Sequence, residues 1–345
     1  MSPQPNEEAA EAPHPRATEA LFGHAGAEAA LLAAYRSARV PHAFLLVGPK
    51  GIGKATLAYR MARFVLAHPD PAAVEVAAAD SLAVDAQNPV AHRIAAQAQG
   101  DLLILERTPN EKGLLRQQIA VDDVRRTVSF FGSTAGEGGW RIAIVDAVDE
   151  LNRSSANALL KVLEEPPQRA LLLLVSHSAA RVPATLRSRC RIVTLRPLAE
   201  RDLANAVAGA TGAAASDAHV AAAASAAEGS VARALALLDE DALALRQQAL
   251  DLLDGLPALD ANALHALGDA LAGTDAAPLA AFVDTVNAWL SQRVEGGGGE
   301  IGRLAGLAEA WERINAAARD AEIYNLERKP FVFGVFGLLA EATRG

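Results

Sequence analysis

The chain holds a single cysteine, Cys190, in 345 residues. No disulfide framework and no cysteine-built zinc site can form within it. Basic residues are outnumbered, with 32 Lys and Arg against 41 Asp and Glu and a net charge of -9. Sequence-independent DNA binding rests on neutralising phosphates, so this balance argues against autonomous DNA binding and leaves only contact within a larger assembly. Long apolar runs are missing too, and the run "ALLLLVSHS" is far too short to cross a bilayer. The stretch "MSPQPNEEAAEAPHPRATEA" has no apolar segment behind a basic one, unlike a secretory signal. These absences give the expectation of a cytoplasmic protein with a disordered N-terminal arm over residues 1–20.

What is plentiful is apolar surface. Hydrophobic residues make up 51% of the chain, much of it alanine, which fits a globular fold rich in helix. The spacing predicts a helix over Gly23–Arg39, a buried strand in "HAFLLVG" and a helix in "KATLAYRMARFVLA". A looser region with helical fragments spans Pro69–Gly100. Strands follow in "DLLILE", "RIAIVDA", "ALLLLVS" and "CRIVTL". Helices fall between them in "VDDVRRTVSFFG", with Val121, Val124 and Val128 on one face, in "SSANALLKVLEE", halted by Pro166–Pro167, and in "PATLRSR". Strands alternating with helices predict a parallel sheet covered on its faces. After Pro197 the pattern is all-helical, in one unit to about Asp254 and another from about Leu256, interrupted by a loop at "EGGGGE".

Between the first strand and its helix stands "GPKGIGKA", Gly48 to Ala55. Gly48, Gly51 and Gly53 let a backbone turn its N–H groups toward phosphates. The helix N-terminus favours an anion, and Lys54 adds a point charge for the outer phosphates. The motif's hydroxyl ligand for Mg²⁺ is missing, because Ala55 takes its place. Thr56 does not substitute, since one step along a helix rotates a side chain by roughly 100°.

A loop of this kind is usually served by a second strand ending in Asp and then Glu, for metal and water. Here "RIAIVDA" ends in Asp146 followed by Ala147. Taking Asp149–Glu150 as the acidic pair would bury Asp146 unpaired inside a strand. Asp149 and Glu150 are therefore expected as solvated loop residues or helix-N-terminal charges. Loss of a general base costs about 10²–10⁴ in rate. Two deficits in one site point to an inactive site rather than a slow one.

"NALLKVLEEPP" (Asn157 to Pro167), "RSRC" (Arg187 to Cys190) and the incomplete phosphate loop together resemble the AAA+ clamp-loader subunits of bacterial DNA polymerase III, the delta-prime type in particular. The resemblance covers about Phe22 to Leu198. It implies a P-loop AAA+ parallel sheet flanked by helices, a small helical lid domain and an all-α C-terminal collar domain. The implied bounds are 21–197, 198–255 and 256–345. It implies a non-hydrolysing subunit that helps load a sliding clamp onto primed DNA in replication. The implied partners are gamma/tau motor subunits, a delta subunit and, through the complex, the sliding clamp and primer-template DNA, in a hetero-oligomer away from membranes. By the match to "SRC", Arg189 is an arginine finger acting in trans on a neighbour's ATP.

No cofactor is required on this reading. Retention of Lys54 leaves passive ATP or ADP binding open. The family's zinc module has no counterpart, because residues 67–100 contain no cysteine. The second sensor arginine of the family meets "GSVARAL", where Ala232 holds the expected place and Arg233 is one along. The first sensor corresponds to Ser176 or Ser178, with His177 between them. An alternative is an active gamma/tau-type clamp-loader ATPase, which calls for Lys-Thr or Lys-Ser and Asp-Glu. A P-loop phosphotransferase for a small metabolite would need the Mg²⁺ hydroxyl and leaves the helical half unexplained. No carboxylate pair reads as a two-metal polymerase site, so polymerase activity would belong to a holoenzyme and not to this chain.

Overall fold

The computed structural model describes residues 13–37, 39–108, 116, 118–132, 139–273, 276–295, 301–324 and 326–344. Residues 1–12 of the expected arm, and 296–300 of the expected "EGGGGE" loop, lie outside these. The chain forms two compact units, Met1–Leu235 and Ala236–Gly345. No described helix is long and apolar enough to cross a membrane.

The first unit alternates as the patterning predicts: α1 (Ala25–Tyr35), β1 (Ala43–Val47), α2 (Lys54–Ala67), α3 (Val74–Ala78), α4 (Pro89–Ala95), β2 (Leu102–Glu106), α5 (Val121–Gly132), β3 (Arg141–Asp146), α6 (Arg153–Glu164), β4 (Ala170–Ser176), α7 (Ala184–Arg187) and β5 (Arg191–Thr194). Three helices follow, α8 (Glu200–Thr211), α9 (Ala218–Ala226) and α10 (Val231–Ala236). The strands form one five-stranded sheet in the order β2-β3-β4-β1-β5, and every pairing is parallel. This is the expected architecture, a parallel sheet flanked by helices. Side chains alternate across the sheet. Leu45, Val145, Leu172 and Leu174 join α5 and α6 in one core cluster. Phe44, Leu46, Ile144 and Leu173 are fully buried on the opposite face, where α2 packs on β1, β3 and β4. Coverage on both faces is why these strands read as unbroken apolar runs.

Local signals set the helix ends. Asn152 caps α6, its side chain accepting from Ser155 N–H at 2.8 Å. Pro166 and Pro167 then stop it. Its buried stripe is Ala156, Leu159, Val162 and Leu163. In α5 the buried face differs from the one expected. It is Val124, Thr127 and Phe131, while Val128 is 46% exposed. Thr127 is admitted because its hydroxyl donates to Val124 O one turn back.

Part of the expected arm is bonded. Arg63 is only 3% exposed, and its guanidinium donates to Arg16 O at 3.0 Å and Thr18 O at 3.2 Å. Arg60 donates to Glu19 O. Residues 13–20 therefore run along α2. A buried guanidinium requires acceptors, and here backbone carbonyls meet that requirement, which composition does not reveal.

The second unit is helical: α11 (Glu240–Asp254), α12 (Ala261–Ala270), α13 (Ala276–Glu295), α14 (Ile301–Ile323) and α15 (Arg328–Arg344). Ala249, Leu252 and Leu253 of α11 pack with Phe282, Val286 and Leu290 of α13 and with Phe336 of α15. α11 falls within the bounds expected for the lid, and its apolar stripe is buried in this unit.

Candidate nucleotide and subunit-contact site

Strand register gathers the motif residues at one edge of the sheet. Val47 lies opposite Ser176 of β4 and Thr194 of β5. Asp146 lies opposite Val175 of β4 and Glu106 of β2. The loop from Gly48 to Gly53, Asp146 and the turn after Ser176 thus meet at the carboxyl ends of the strands, where open parallel sheets bind ligands. Gly48 N–H donates to Ser176 O at 3.3 Å, tying the loop to β4. Gly53 is the N-cap of α2. Lys54 is 3% exposed, and its ammonium donates to Pro49 O within its own loop. Burial lowers the Lys54 pKa to about 8, against the pull of Asp146 and Asp149. Burial raises the Asp146 pKa, Lys54 opposes the rise, and Glu106 adds to it.

Gly48, Gly51, Gly53, Lys54 and Asp146 are therefore brought together. The loop N–H groups and Lys54 are the residues that could hold a phosphate chain. Ala55 offers no metal ligand, and Ala147 is a buried methyl, 1% exposed, where a base would stand. Among the described residues, no group of three His, Cys, Asp or Glu is placed to hold a metal ion.

Asp149 and Glu150 are not solvated charges. Asp149 accepts from the Ser176 hydroxyl at 2.9 Å and from His177 N–H. Glu150 pairs with Arg107 at 2.9 Å. Both are half-buried, because the turn after β3 folds back against the end of β4 and the Arg107 side chain. Asp149 thereby fixes Ser176, the last residue of β4, and the backbone of His177 after it. The buried Nδ1 of His177 has no hydrogen-bond partner. Burial and then the nearby Lys54 charge lower the His177 pKa to about 4. In the unfolded chain His177 takes up a proton below about 6.5. The unfolded state then binds more protons than the folded one between pH 6.5 and 4, so stability falls as pH drops through that window. Replacing His177 by Gln should flatten the decline. Melting temperature should fall about 2–4 °C less between pH 6.5 and 4.5, taking roughly 1 kcal/mol after screening. A profile parallel to wild type in calorimetry would refute the assignment. His24, not singled out by the sequence, is also buried here, with Nε2 2.6 Å from Ile52 O.

The α8–α10 segment is fastened to the loop. Ser230 Oγ donates to Lys50 O at 3.1 Å, and Ala232 N–H donates to Gly51 O at 3.2 Å. Leu198 N–H donates to Gly229 O at 3.1 Å. Gly51 has φ +78°, and a Cβ there would lie 2.3 Å from Ser230 Oγ and 2.8 Å from Ala232 Cβ. Arg233, one place beyond the expected sensor, pairs with Glu228 at 2.8 Å. This ion pair engages the side chain locally.

Residues 23–199 match the family model described as "DNA polymerase III, delta subunit". The chain belongs to this family. Among curated relatives of the delta-subunit family, the DNA polymerase III subunit delta' of Pseudomonas aeruginosa is 37% identical over 149 residues, 43% of this chain and 41% of its own length. The subunit delta' of Escherichia coli K12 is 32% identical over 178 residues, 50% of this chain and 47% of its own. The chain thus spans less than half the length of each of these relatives. A DNA polymerase III gamma subunit-related protein of Thermotoga maritima is similar over 88% of this chain and 96% of its own, at 16% identity and a TM-score of 0.42.

In this delta-family chain Arg189 is not among the loop residues. It lies two residues before β5, whose first residue Arg191 is opposite Phe44, near the start of β1. The loop leaves β1 at its other end, after Val47. Arg189 therefore stands at the amino edge of the sheet, about 10 Å or more from the loop edge along the strand. Its guanidinium donates to Thr185 O at 2.8 Å and Ser188 Oγ at 3.4 Å. It also pairs with Glu164 Oε1 at 2.9 Å. Cys190 anchors the turn, donating to Leu186 O. Burial raises its thiol pKa to about 11, which leaves it a packing residue rather than a nucleophile.

Proposed function

We propose that this chain is a non-hydrolysing, delta-prime-type subunit of a DNA polymerase III clamp loader, working beside gamma/tau-type motor subunits and a delta subunit. On this reading it helps place a sliding clamp on primer-template DNA, which it meets only within the complex. The observation that carries the proposal is the division between the two edges of the sheet. The carboxyl edge keeps the phosphate loop, Lys54 and Asp146 but has alanine at 55 and 147. The amino edge presents Arg189, with its side chain 37% exposed. A guanidinium placed there is out of reach of its own loop and suited to stabilising charge on a phosphoryl group bound by an adjacent subunit. Family membership and the delta' names of the two relatives above support the same reading.

In this proposal nucleotide binding at the chain's own loop is passive. Lys54 and the loop N–H groups hold the phosphates, and no residue supplies metal or water activation. Purified alone, the chain should turn over ATP no faster than buffer, because a missing base alone costs about 10²–10⁴ in rate. Lys54→Ala should leave that background unchanged while weakening any ATP or ADP binding seen by calorimetry. A Mg²⁺-dependent turnover abolished by Lys54→Ala would overturn the non-hydrolysing assignment and favour a motor subunit.

A further inference from the structure

Glu164 is the last residue of α6. A carboxylate there faces the negative end of the helix dipole, where cations are favoured. Helix stability therefore gives no reason for an acid at this position. Its compensation comes from another element: Arg189 Nη2 is 2.9 Å from Glu164 Oε1. The other terminal nitrogen of the same guanidinium, Nη1, donates to Thr185 O at 2.8 Å and Ser188 Oγ at 3.4 Å. Three acceptors from α6 and the α7 turn thus fix one exposed arginine. The pair is open to water, with side chains 37% and 51% exposed, and exposed pairs of this kind are weak and salt-screened.

We infer that Glu164 is a positioning residue that holds Arg189 in cis and yields it to a more highly charged acceptor on a neighbouring subunit. The inference rests on the proposed finger role of Arg189. A terminal phosphoryl group offers more charge and more acceptor oxygens than one carboxylate. It outcompetes Glu164 when a nucleoside triphosphate is bound next door, and Glu164 recaptures the arginine after phosphate leaves. The pair thereby sets a threshold for engaging the neighbour's nucleotide.

The test is the first-turnover rate of ATP hydrolysis by the reconstituted complex against ATP concentration, for wild type, Glu164→Gln, Arg189→Ala and the double variant. Glu164→Gln should lower half-saturating ATP roughly two- to five-fold, the range of an exposed ion pair. The maximal rate should change less, and the difference from wild type should shrink as salt is raised. In the Arg189→Ala background, Glu164→Gln should have no further effect, since a double-variant cycle isolates the coupling. Glu164→Asp, which keeps the charge, should restore much of the wild-type threshold. If Arg189→Ala slows turnover while Glu164→Gln leaves half-saturating ATP unchanged or raises it, the cis-holding role is wrong and the finger reading stands. If Arg189→Ala changes nothing, both fall. Unchanged melting of each variant shows that the fold is intact.

Discussion

Replacing Arg189 by alanine should slow ATP turnover at the neighbouring subunit's site by about 10³–10⁵-fold, the range for an arginine finger. Assembly should survive, because the side chain is 37% exposed and its bonds are all within this chain. Single-turnover measurement on the complex is the suitable readout, since other ATP sites would mask a loss in steady state. Arg189→Lys makes a sharper comparison. A lysine keeps the charge but loses the planar fork that matches phosphate oxygens, so it should recover only part of the rate. An Arg189→Ala complex with wild-type single-turnover rates at every site would remove Arg189 from the mechanism.

The second large effect concerns the loop rather than the finger. Gly51→Val should destabilise the first unit by about 2–5 kcal/mol, combining strain at a positive φ with overpacking. The added Cβ would meet Ser230 Oγ at 2.3 Å and Ala232 Cβ at 2.8 Å. Neither neighbour is the free end of a long side chain, and both lie where α10 is bonded to the loop. The damage should therefore appear first as release of the α8–α10 segment, read by hydrogen exchange or limited proteolysis over residues 198–235. Gly53→Ala provides the contrast. Its φ is +100°, yet the nearest atom to an added Cβ is His24 Cδ2 at 3.7 Å, so only the backbone cost of about 1 kcal/mol applies. Equal effects from the two substitutions would show that steric contact with α10 is not what makes Gly51 necessary.

The two glycines also show where sequence reading stops. The strands, the loop and α2 are legible because buried parallel strands leave continuous apolar runs and because the phosphate loop has fixed spacing. That Ser230 holds Lys50 O, across 180 positions, leaves no local signature. The same holds for Asp149. Its position shortly after β3 suggests a solvated charge, and only the neighbouring end of β4 gives it partners. In α5 the apolar period over Val121, Val124 and Val128 misled. Thr127 satisfies its own hydroxyl within the helix and so competes with valine for the core face. The residues 13–20 read as disordered because their partner, Arg63, lies 47 positions from Arg16 and 45 from Thr18. The alanines at 55 and 147 could be read directly, since a missing functional group is visible in a motif without any coordinates.

The opposite placement of the loop and Arg189 gives the first unit a direction. A subunit that receives at one edge and donates at the other contacts its neighbours head to tail, through two unlike surfaces. When both edges work, such a unit can stand anywhere in a row. When only the donating edge works, a neighbour on the receiving side gains no hydrolysis from its own arginine. On the proposed reading this chain therefore terminates a series of ATP sites, and any contact made on its receiving side is one at which nothing fires.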